Sequence, residues 1–257
     1  MGDFMSIENE IQFNKMMEIG SIVANCLEFL KAEAKEGITT LELDHLAEKF
    51  LAKYGAVSAP RSVYNFPGFV CFSHEHEVAH GLPSAKVLRK GDLLNIDVSA
   101  SKDGYFADNG ESFVVGNIKN KKRALCQHVK TALELALNAA RTGKKINRVG
   151  LAVEQYAKKH NLTVIRDLGG HGVGQSLHEE PEFIGSFCDP RDNRTFTENT
   201  VVAIEPFLSN GAHHINESDD GWTLFHNHFY SVQKEHTIMV RSEKPFIFTR
   251  PTMSFAS

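Results

Sequence analysis

The stretch Asn95–Phe113, NIDVSASKDGYFADNGESF, reads as a β-hairpin and sets the class of the fold. Along residues 92–100 apolar and polar side chains alternate, so one face of this strand is apolar and the other is polar. A turn is expected at residues 101–104, where Lys, Asp and Gly follow Ser. The polar face of a strand that is otherwise rich in Leu, Ile and Val is the first indication of a functional site.

Two carboxylates stand out in this hairpin. With a four-residue loop, Asp97 and Asp108 are predicted to lie directly opposite each other, roughly 5 Å apart between Cβ atoms. Like charges at that separation destabilise a sheet, and a cation between them removes the penalty. The alternative is a pair of solvated surface aspartates, and the hairpin alone leaves both interpretations open.

Helical patterns flank the hairpin on both sides. Apolar residues at helical spacing predict helices over residues 7–36, 121–142 and 146–160. A further helix is predicted to begin near Thr39, because Thr39 and Glu42 form the pattern of a capping box. Strand-like segments follow at residues 200–207 and 231–240. Helices mixed with hairpin-connected strands predict an α+β fold.

The two helical blocks resemble each other. Aligning Gly37 with Gly143 brings apolar positions of the following helices into the same register. Each block is a long helix, a glycine-containing joint, a shorter helix and strand-like sequence, which indicates two related halves rather than a solenoid. No linker rich in Pro, Gly or Ser separates the halves, so residues 1–257 are predicted to form a single domain.

Two glutamates interrupt apolar strands. Glu205 lies within VVAIEPF, and Glu235 lies within VQKEHTIMV. A buried, unpaired carboxylate costs several kcal/mol, so each is expected to be paired, protonated or metal-bound if it is inside. Taken singly, each is predicted to be an edge or surface glutamate.

Histidines occur in the glycine-rich segment LGGHGVGQSLHEEPEF. His171 has glycine on both sides, which allows backbone or ligand to approach closely, and His178 follows seven residues later. Together with the two aspartates and two glutamates, His171 would complete an oxygen-rich site. Such a site favours Mn, Fe(II), Co or Mg over structural zinc, and two metals sharing carboxylates can activate one bridging water.

The composition excludes several classes of protein. The chain has 257 residues, is 42% hydrophobic and 23% charged, and carries a net charge of −4, which does not indicate a nucleic-acid-binding protein. No apolar run reaches the roughly 18 residues of a membrane span. Acidic residues stand where an export signal needs bases, and the four scattered cysteines are typical of a reducing compartment. A cytoplasmic protein is therefore predicted.

The motifs, taken together in their order and spacing, resemble one family. AHGLPS, NIDVSASKDGYFAD, GHGVGQSLHEEP, AIEPF and EHTIMV are similar to the motifs of type I methionine aminopeptidases in their short bacterial form, over roughly residues 8–245. The resemblance implies a pita-bread fold, with two pseudo-symmetric α+β halves around a dinuclear metal centre. It also implies removal of the initiator methionine from nascent proteins whose second residue is small.

The resemblance further implies residue roles. The implied ligands of two divalent metal ions (Co, Mn, Fe(II) or Zn) are Asp97, Asp108, His171, Glu205 and Glu235, of which Asp108 and Glu235 would bridge. Glu205 would act as general base, and His178 would stabilise the oxyanion. His80 would contact the substrate near the scissile amide and assist the departing amine. The implied methionine pocket consists of Phe66, Cys71 and Trp222, a soft apolar lining that suits a thioether.

The chain departs from the family pattern at a few positions. The tripeptide 74–76 is His-Glu-His where Val/Ile-Asn-Glu is usual, Leu177 stands where an aromatic residue is common, and Phe106-Ala107 precedes Asp108. These changes concern pocket shape and second-residue preference, since no implied ligand is lost. His74 and His76 are expected to be solvated loop histidines.

A second motif competes with this interpretation. Residues 76–80, HEVAH, match the H-E-x-x-H signature of zinc proteases, which requires a helix that places both histidines on one face. Gly81 and Pro83 follow at once and would end any helix, and the preceding residues 68–73 read as a strand. The match is therefore predicted to be accidental, with only His80 having a role.

Three other functions are compatible with parts of the pattern. An Xaa-Pro peptidase on the same fold usually carries a large extra domain, for which the chain length leaves no room. A non-catalytic binding protein on this fold would lack ligands, and all five implied ligands are present. A paralogue with altered specificity stays open because of residues 74–76. The expected partners are nascent N-termini at the ribosome exit, with no nucleic acid or membrane, and the expected state is a monomer.

Overall fold

The computed structural model describes residues 6–116 and 118–255. The helices of the described residues are α1 (Glu10–Glu33), α2 (Thr40–Lys53), α3 (Ala59–Tyr64), α4 (Lys121–Ala139) and α5 (Asn147–Lys159). The strands are β1 (Val57–Ser58), β2 (Cys71–His74), β3 (Glu77–Ala79), β4 (Leu93–Lys102), β5 (Tyr105–Val114), β6 (Thr163–Val164), β7 (Gly169–Gly172), β8 (Glu179–Gly185), β9 (Val201–Ile204), β10 (Phe207–Ser209), β11 (Asn216–Glu217), β12 (Leu224–Phe225), β13 (Ser231–Gln233), β14 (His236–Met239) and β15 (Phe246–Ile247).

The predicted central hairpin is β4–β5, but its register differs from the prediction. Lys102 pairs with Tyr105, so the loop is the two residues Asp103 and Gly104, both with positive φ (50° and 82°). Asp-Gly favours such a tight turn because its twist matches that of the flanking strands. Consequently Asp97 pairs with Gly110, and the predicted direct pairing of Asp97 with Asp108 is wrong.

The strands form four sheets, two of which carry the main cores. One sheet has the order β1-β4-β2 with β5 paired to β4, and the largest has the order β15-β14-β9-β7-β8. A first hydrophobic cluster packs α1 and α2 on the β4–β5 hairpin, and a second packs α4 and α5 on β9 and β14. Two smaller sheets have the orders β13-β10-β6 and β11-β12-β3.

The two helical blocks repeat each other in backbone detail. The residue after α1, Ala34, and the residue after α4, Ala140, have nearly the same conformation, with φ of −71° and −76° and ψ of 76° and 87°. Gly37 and Gly143 follow in the same positive-φ conformation, at 96° and 74°. The predicted capping box of α2 at Thr39 is present. The expectation of an α+β fold with two related halves is therefore confirmed.

The described residues also bear on the expectations about cysteines, membrane-spanning helices and an export signal. The four cysteines are free thiols. Among the described residues, none of the helices is long and apolar enough to cross a bilayer. The prediction that the chain lacks an export signal concerns its beginning, of which residues 1–5 lie outside the described residues.

Candidate metal centre and active site

Five side chains from β4, β5, β7 and the β9–β10 and β13–β14 junctions converge in one cluster. Asp97 and Asp108 come from the β4–β5 hairpin, where their pairing with Gly110 and Ser99 places them diagonally on one face. The ligand-type atoms of Asp108, His171 and Glu235 lie within 4.8 Å of one another. His171 Nε2 is 3.7 Å from Glu205 Oε1 and 4.0 Å from Asp108 Oδ2.

Each of the two glutamates occupies a junction between strands of different sheets. Glu205 lies between β9 and β10, and Glu235 lies between β13 and β14. At both junctions the chain passes between the five-stranded sheet and the β13-β10-β6 sheet, so the predicted continuous strands over 200–207 and 231–240 are each divided. Glu235 is only 1% exposed, and the side chain of Glu205 is 11% exposed. The expectation of edge or surface glutamates is therefore wrong.

The electrostatics of this cluster are unfavourable without a cation. Burial raises the pKa of Asp108, Glu205 and Glu235 well above its usual range, and neighbouring carboxylates raise it further. Burial also raises the pKa of Asp97. Among the described residues, the buried atoms Asp97 Oδ1, Asp108 Oδ1 and Glu235 Oε1 have no hydrogen-bond partner. A set of carboxylate oxygens with one imidazole fits hard or borderline divalent cations.

His171 is prepared to act as a neutral ligand. Its Nδ1 lies 2.8 Å from the carbonyl oxygen of Gly172 and donates to it, so the lone pair of Nε2 faces the carboxylates. Burial lowers the pKa of His171 to about 3. Glycine is required on both sides, since a Cβ on Gly170 would lie 2.1 Å from the Ala203 carbonyl oxygen and one on Gly172 would lie 2.2 Å from the Glu180 oxygen.

An amide network supports the two glutamates. Gln233 Nε2 donates to Glu235 Oε2 at 3.1 Å and to Glu205 Oε2 at 3.4 Å. Asn95 Nδ2 donates to Gln233 Oε1 at 2.9 Å, which orients the amide. Gly110 leaves the space for it, because a Cβ there would meet Gln233 Oε1 at 2.3 Å. The supporting role of Gln233 was not predicted, although its position two residues before Glu235 was the available signal.

Asp97, Asp108, Glu205 and His171 line a cleft of about 240 Å³. The predicted pocket residues Phe66, Cys71 and Trp222 line this cleft together with His80 and His178. Phe66 and Trp222 meet edge to face, with ring centroids 5.2 Å apart. Burial and the charge of Asp97 raise the pKa of Cys71, so its thiol stays protonated and acts as an apolar wall.

The cleft contains further residues that sequence reasoning did not assign. Tyr64 lines it, and its hydroxyl oxygen lies 2.7 Å from His178 Nδ1. Leu177, which departs from the family pattern, also lines it and is buried. Nothing in the polar segment around Tyr64 signals a role, because Tyr64 and His178 are far apart in sequence and meet only in the fold.

The HEVAH motif is not a helix. Residues 77–79 form β3, and His80 follows with a positive φ of 53°. His76 Nδ1 lies 3.0 Å from the Phe229 carbonyl oxygen, and its ring stacks on Tyr230 at 4.5 Å. The predicted accidental match is thus consistent with the backbone.

His74 is likewise engaged rather than solvated. Its Nε2 lies 2.8 Å from Asp92 Oδ2, and its side chain is 13% exposed. The neighbouring Glu75 accepts two hydrogen bonds from Lys122 Nζ, at 2.5 and 2.7 Å. The expectation that His74 and His76 are solvated loop histidines is therefore wrong, since both hold the β2–β3 hairpin to its neighbours.

Comparison with known proteins agrees with this geometry. The model of metallopeptidase family M24 matches residues 14–242. Methionine aminopeptidase 2 of Bacillus subtilis (strain 168) is 42% identical over 248 residues, which are 96% of this chain and 100% of the relative. The crystal structure of methionine aminopeptidase from Rickettsia prowazekii matches with a TM-score of 0.91 at 34% identity, over 97% of this chain and 100% of that one.

A more distant structure shows the fold alone. The prolidase from Pyrococcus furiosus matches with a TM-score of 0.75 at 21% identity, over 96% of this chain and 66% of the prolidase. The expected pita-bread architecture is thereby confirmed. The chain belongs to metallopeptidase family M24 and, within it, to the methionine aminopeptidases.

Proposed function

We propose that this chain is a metal-dependent aminopeptidase that removes the initiator methionine from nascent proteins whose second residue is small. Membership of the methionine aminopeptidases carries the reaction class. The observation that best supports it in the site is a small, partly apolar cleft directly above a cluster of buried carboxylates. An N-terminal methionine would place its side chain in such a cleft and its scissile amide bond beside the carboxylates that line it.

Divalent cations would be held by the five converging side chains. Two cations, of Co, Mn, Fe(II) or Zn, would be held by Asp97, Asp108, His171, Glu205 and Glu235. Their orphaned, buried oxygens support this assignment. When bound, such cations lower the pKa of a coordinated water so that it can attack a carbonyl carbon at neutral pH.

Three residues would handle protons and charge around the peptide bond. Glu205 would accept a proton from the attacking water on its carboxylate. His178 would donate a hydrogen bond to the carbonyl oxygen as negative charge develops there. His80 would contact the scissile amide and assist the departing amine, which its position in the same cleft supports.

The methionine side chain would be enclosed by Phe66, Cys71 and Trp222. Two aromatic edges and a protonated thiol provide soft, polarisable contacts for a thioether. Leu177 narrows the cleft from the side of the glycine-rich segment. A β-branched or charged second residue would have to enter a space bounded by protein, which would explain a preference for small residues there.

The wider assignments follow from the same proposal. Residues 1–257 would act as one catalytic domain, because the ligands come from both related halves. The substrates would be nascent N-termini near the ribosome exit in the cytoplasm, and the enzyme would act as a monomer.

Two alternatives make different predictions. An Xaa-Pro peptidase would require proline at the second position of the substrate. A paralogue with altered specificity would cleave another N-terminal residue. His74 and His76, which depart from the usual family pattern, both make hydrogen bonds in the fold, and these contacts are the feature of this chain that favours the second alternative.

A peptide panel separates these functions. The Mn-, Co-, Fe(II)- and Zn-loaded protein is incubated with Met-Ala-Ser, Met-Gly-, Met-Pro-, Met-Lys- and Ala-Ala-starting peptides. Rapid release of methionine from the first two, with Met-Lys spared, is the expected result. Failure to cleave any Met-starting peptide, with bound metal verified, would refute the proposal.

A further inference from the structure

Tyr64 makes a specific contact with His178 at the mouth of the cleft. The Tyr64 hydroxyl oxygen lies 2.7 Å from His178 Nδ1, and the two rings are tilted by 52° with centroids 5.7 Å apart. Both side chains line the cleft. Because Nδ1 is occupied by this contact, Nε2 is the ring nitrogen that is left for a substrate.

The backbone that carries Tyr64 is anchored to the metal-binding hairpin. Tyr64 is the last residue of α3, whose N-cap Ser58 accepts a hydrogen bond from Arg61 N at 3.3 Å. Ser58 also pairs with Ala100 of β4, the strand that contains Asp97. Asn65 ends the helix in the left-handed conformation. Tyr64 is thus tied to the same rigid strand as the metal site.

The contact has two chemically distinct forms. A neutral imidazole has one N–H donor and one lone pair. If Tyr64 donates to Nδ1, the proton of His178 is on Nε2, which can then donate to a carbonyl oxygen. If Nδ1–H donates to the Tyr64 oxygen instead, Nε2 has a lone pair and would repel a developing oxyanion.

The first form is favoured by acidity. A phenol has a pKa of about 10 and is a better hydrogen-bond donor than the N–H of a neutral imidazole. Burial raises the pKa of Tyr64 further, so the hydroxyl keeps its proton at neutral pH.

We propose that Tyr64 is a positioning residue that holds His178 in its Nε2–H tautomer, so that this N–H is available to the carbonyl oxygen of the scissile bond. The role rests on the proposed aminopeptidase function. It deepens that function by naming the residue that decides whether His178 can act as a donor. Tyr64 itself does not touch the reacting atoms.

The direct test is the tautomer of His178. The Zn-loaded, ¹⁵N-histidine-labelled protein is measured by long-range ¹H–¹⁵N correlation at pH 8, well above the ordinary imidazole pKa of about 6.5. His178→Ala identifies the resonance by its loss. We expect Nε2 protonated and Nδ1 bare in the unmodified protein, and a mixture of tautomers in Tyr64→Phe. A protonated Nδ1 in the unmodified protein would overturn the proposal.

The kinetic test uses a double-mutant cycle. Loss of an oxyanion donor costs roughly 100- to 1,000-fold in kcat, and loss of its orientation should cost less, about 10-fold for Tyr64→Phe with KM nearly unchanged. In the His178→Ala background, Tyr64→Phe should cause no further loss. Independent, multiplying losses would contradict the coupling, as would an unchanged kcat in Tyr64→Phe alone.

A matched control and a separate readout keep the outcomes distinct. Tyr54→Phe makes the same chemical change at a hydroxyl that contacts Met253 Sδ at 3.7 Å, outside the cleft residues, and should leave kcat unchanged. If the unmodified protein cleaves no Met-starting peptide, the proposed function fails while the tautomer remains measurable. If it cleaves them but Tyr64→Phe keeps the tautomer, only the positioning role fails.

Discussion

Asp97 and Asp108 lie on the same face of the β4–β5 hairpin but are offset by two residue pairs. Asp97 is opposite Gly110, and Asp108 is opposite Ser99. The diagonal arrangement keeps the two carboxylates close without placing them in direct opposition, and it leaves the Gly110 position open for the Gln233 amide. The absence of a side chain at Gly110 therefore gives the Gln233 amide the space from which it donates to Glu235.

Gly110→Ala should weaken metal binding. The added Cβ would lie 2.3 Å from Gln233 Oε1 and 2.5 Å from Nε2, so the amide must move away from Glu235. Loss of such a supporting contact typically reduces metal affinity by about 10- to 100-fold. Calorimetric titration with Mn measures the change. If the steric explanation holds, Gly110→Ala should have little further effect in a Gln233→Ala background.

His171→Ala and His178→Ala should separate metal binding from rate enhancement. His171 lies within the carboxylate cluster, so its loss should reduce bound metal and abolish turnover. His178 hydrogen-bonds Tyr64 and packs against the His171 ring at 4.1 Å but is not among the clustered ligand-type atoms, so its removal should lower kcat by roughly 100- to 1,000-fold with metal retained. Elemental analysis after gel filtration, combined with peptide kinetics, distinguishes them. Equal metal loss in both variants would contradict this division of roles.

Metal binding should release protons, and affinity should rise with pH. The raised pKa of Asp108, Glu205 and Glu235 means that the metal-free site holds protons, which must leave when a cation binds. Calorimetry in two buffers of different ionisation enthalpy counts the protons. Identical enthalpies in both buffers near pH 7 would be inconsistent with protonated carboxyls.

The metal-free protein should lose stability as the pH rises. A carboxyl whose folded pKa is raised stabilises the folded state fully below its unfolded pKa, and this contribution is lost as pH rises through the folded pKa. The lowered pKa of His171 makes stability increase with pH instead, but only below its unfolded pKa of 6.5. As the pH rises from the unfolded carboxyl pKa through the raised folded pKa, these carboxyls should lower the Tm of the EDTA-treated protein, whereas the Mn-loaded protein should change less. A rising Tm of the EDTA-treated protein over this range would contradict the assignment.

Glu111→Gln should destabilise the fold strongly. Glu111 is buried, and its carboxylate lies 2.6 to 2.7 Å from the ammonium groups of Lys31, Lys130 and Lys234. Burial would raise the pKa of Glu111, but these three charges outweigh it and hold the pKa well below its usual range. Removing the shared anion leaves Lys234, whose side chain is 14% exposed, without this counter-charge, and Lys31 and Lys130 each lose one partner, at a cost of about 3–5 kcal/mol in the free energy of unfolding.

Urea denaturation measures this effect, and Glu28→Gln is the matched control. Glu28 also pairs with Lys31 at 2.7 Å, but its side chain is 35% exposed, so its loss should cost at most about 1 kcal/mol. Similar losses for the two variants would show that the three-lysine arrangement does not depend on Glu111.

Local patterns in the chain were sufficient to predict much of the fold. Apolar spacing and the Thr39 capping box predicted the long helices, because these signals act within one or two turns of the chain. The related halves were visible from the positions of Gly37 and Gly143, which need a positive φ. The hairpin register was mispredicted although its signal was local, since Asp103-Gly104 is itself a tight-turn sequence.

Part of the candidate site could likewise be predicted from local sequence, and part of it could not. By itself the sequence determined which acidic and histidine residues were out of place in apolar or glycine-rich strands, since burial of an unpaired charge is costly wherever it occurs. Only the tertiary structure decided that Glu205 and Glu235 stand at crossings between sheets, that Gln233 bridges them, and that Tyr64 meets His178. These contacts join residues from separate elements, and their distances depend on how sheets and helices pack together, which no local pattern encodes.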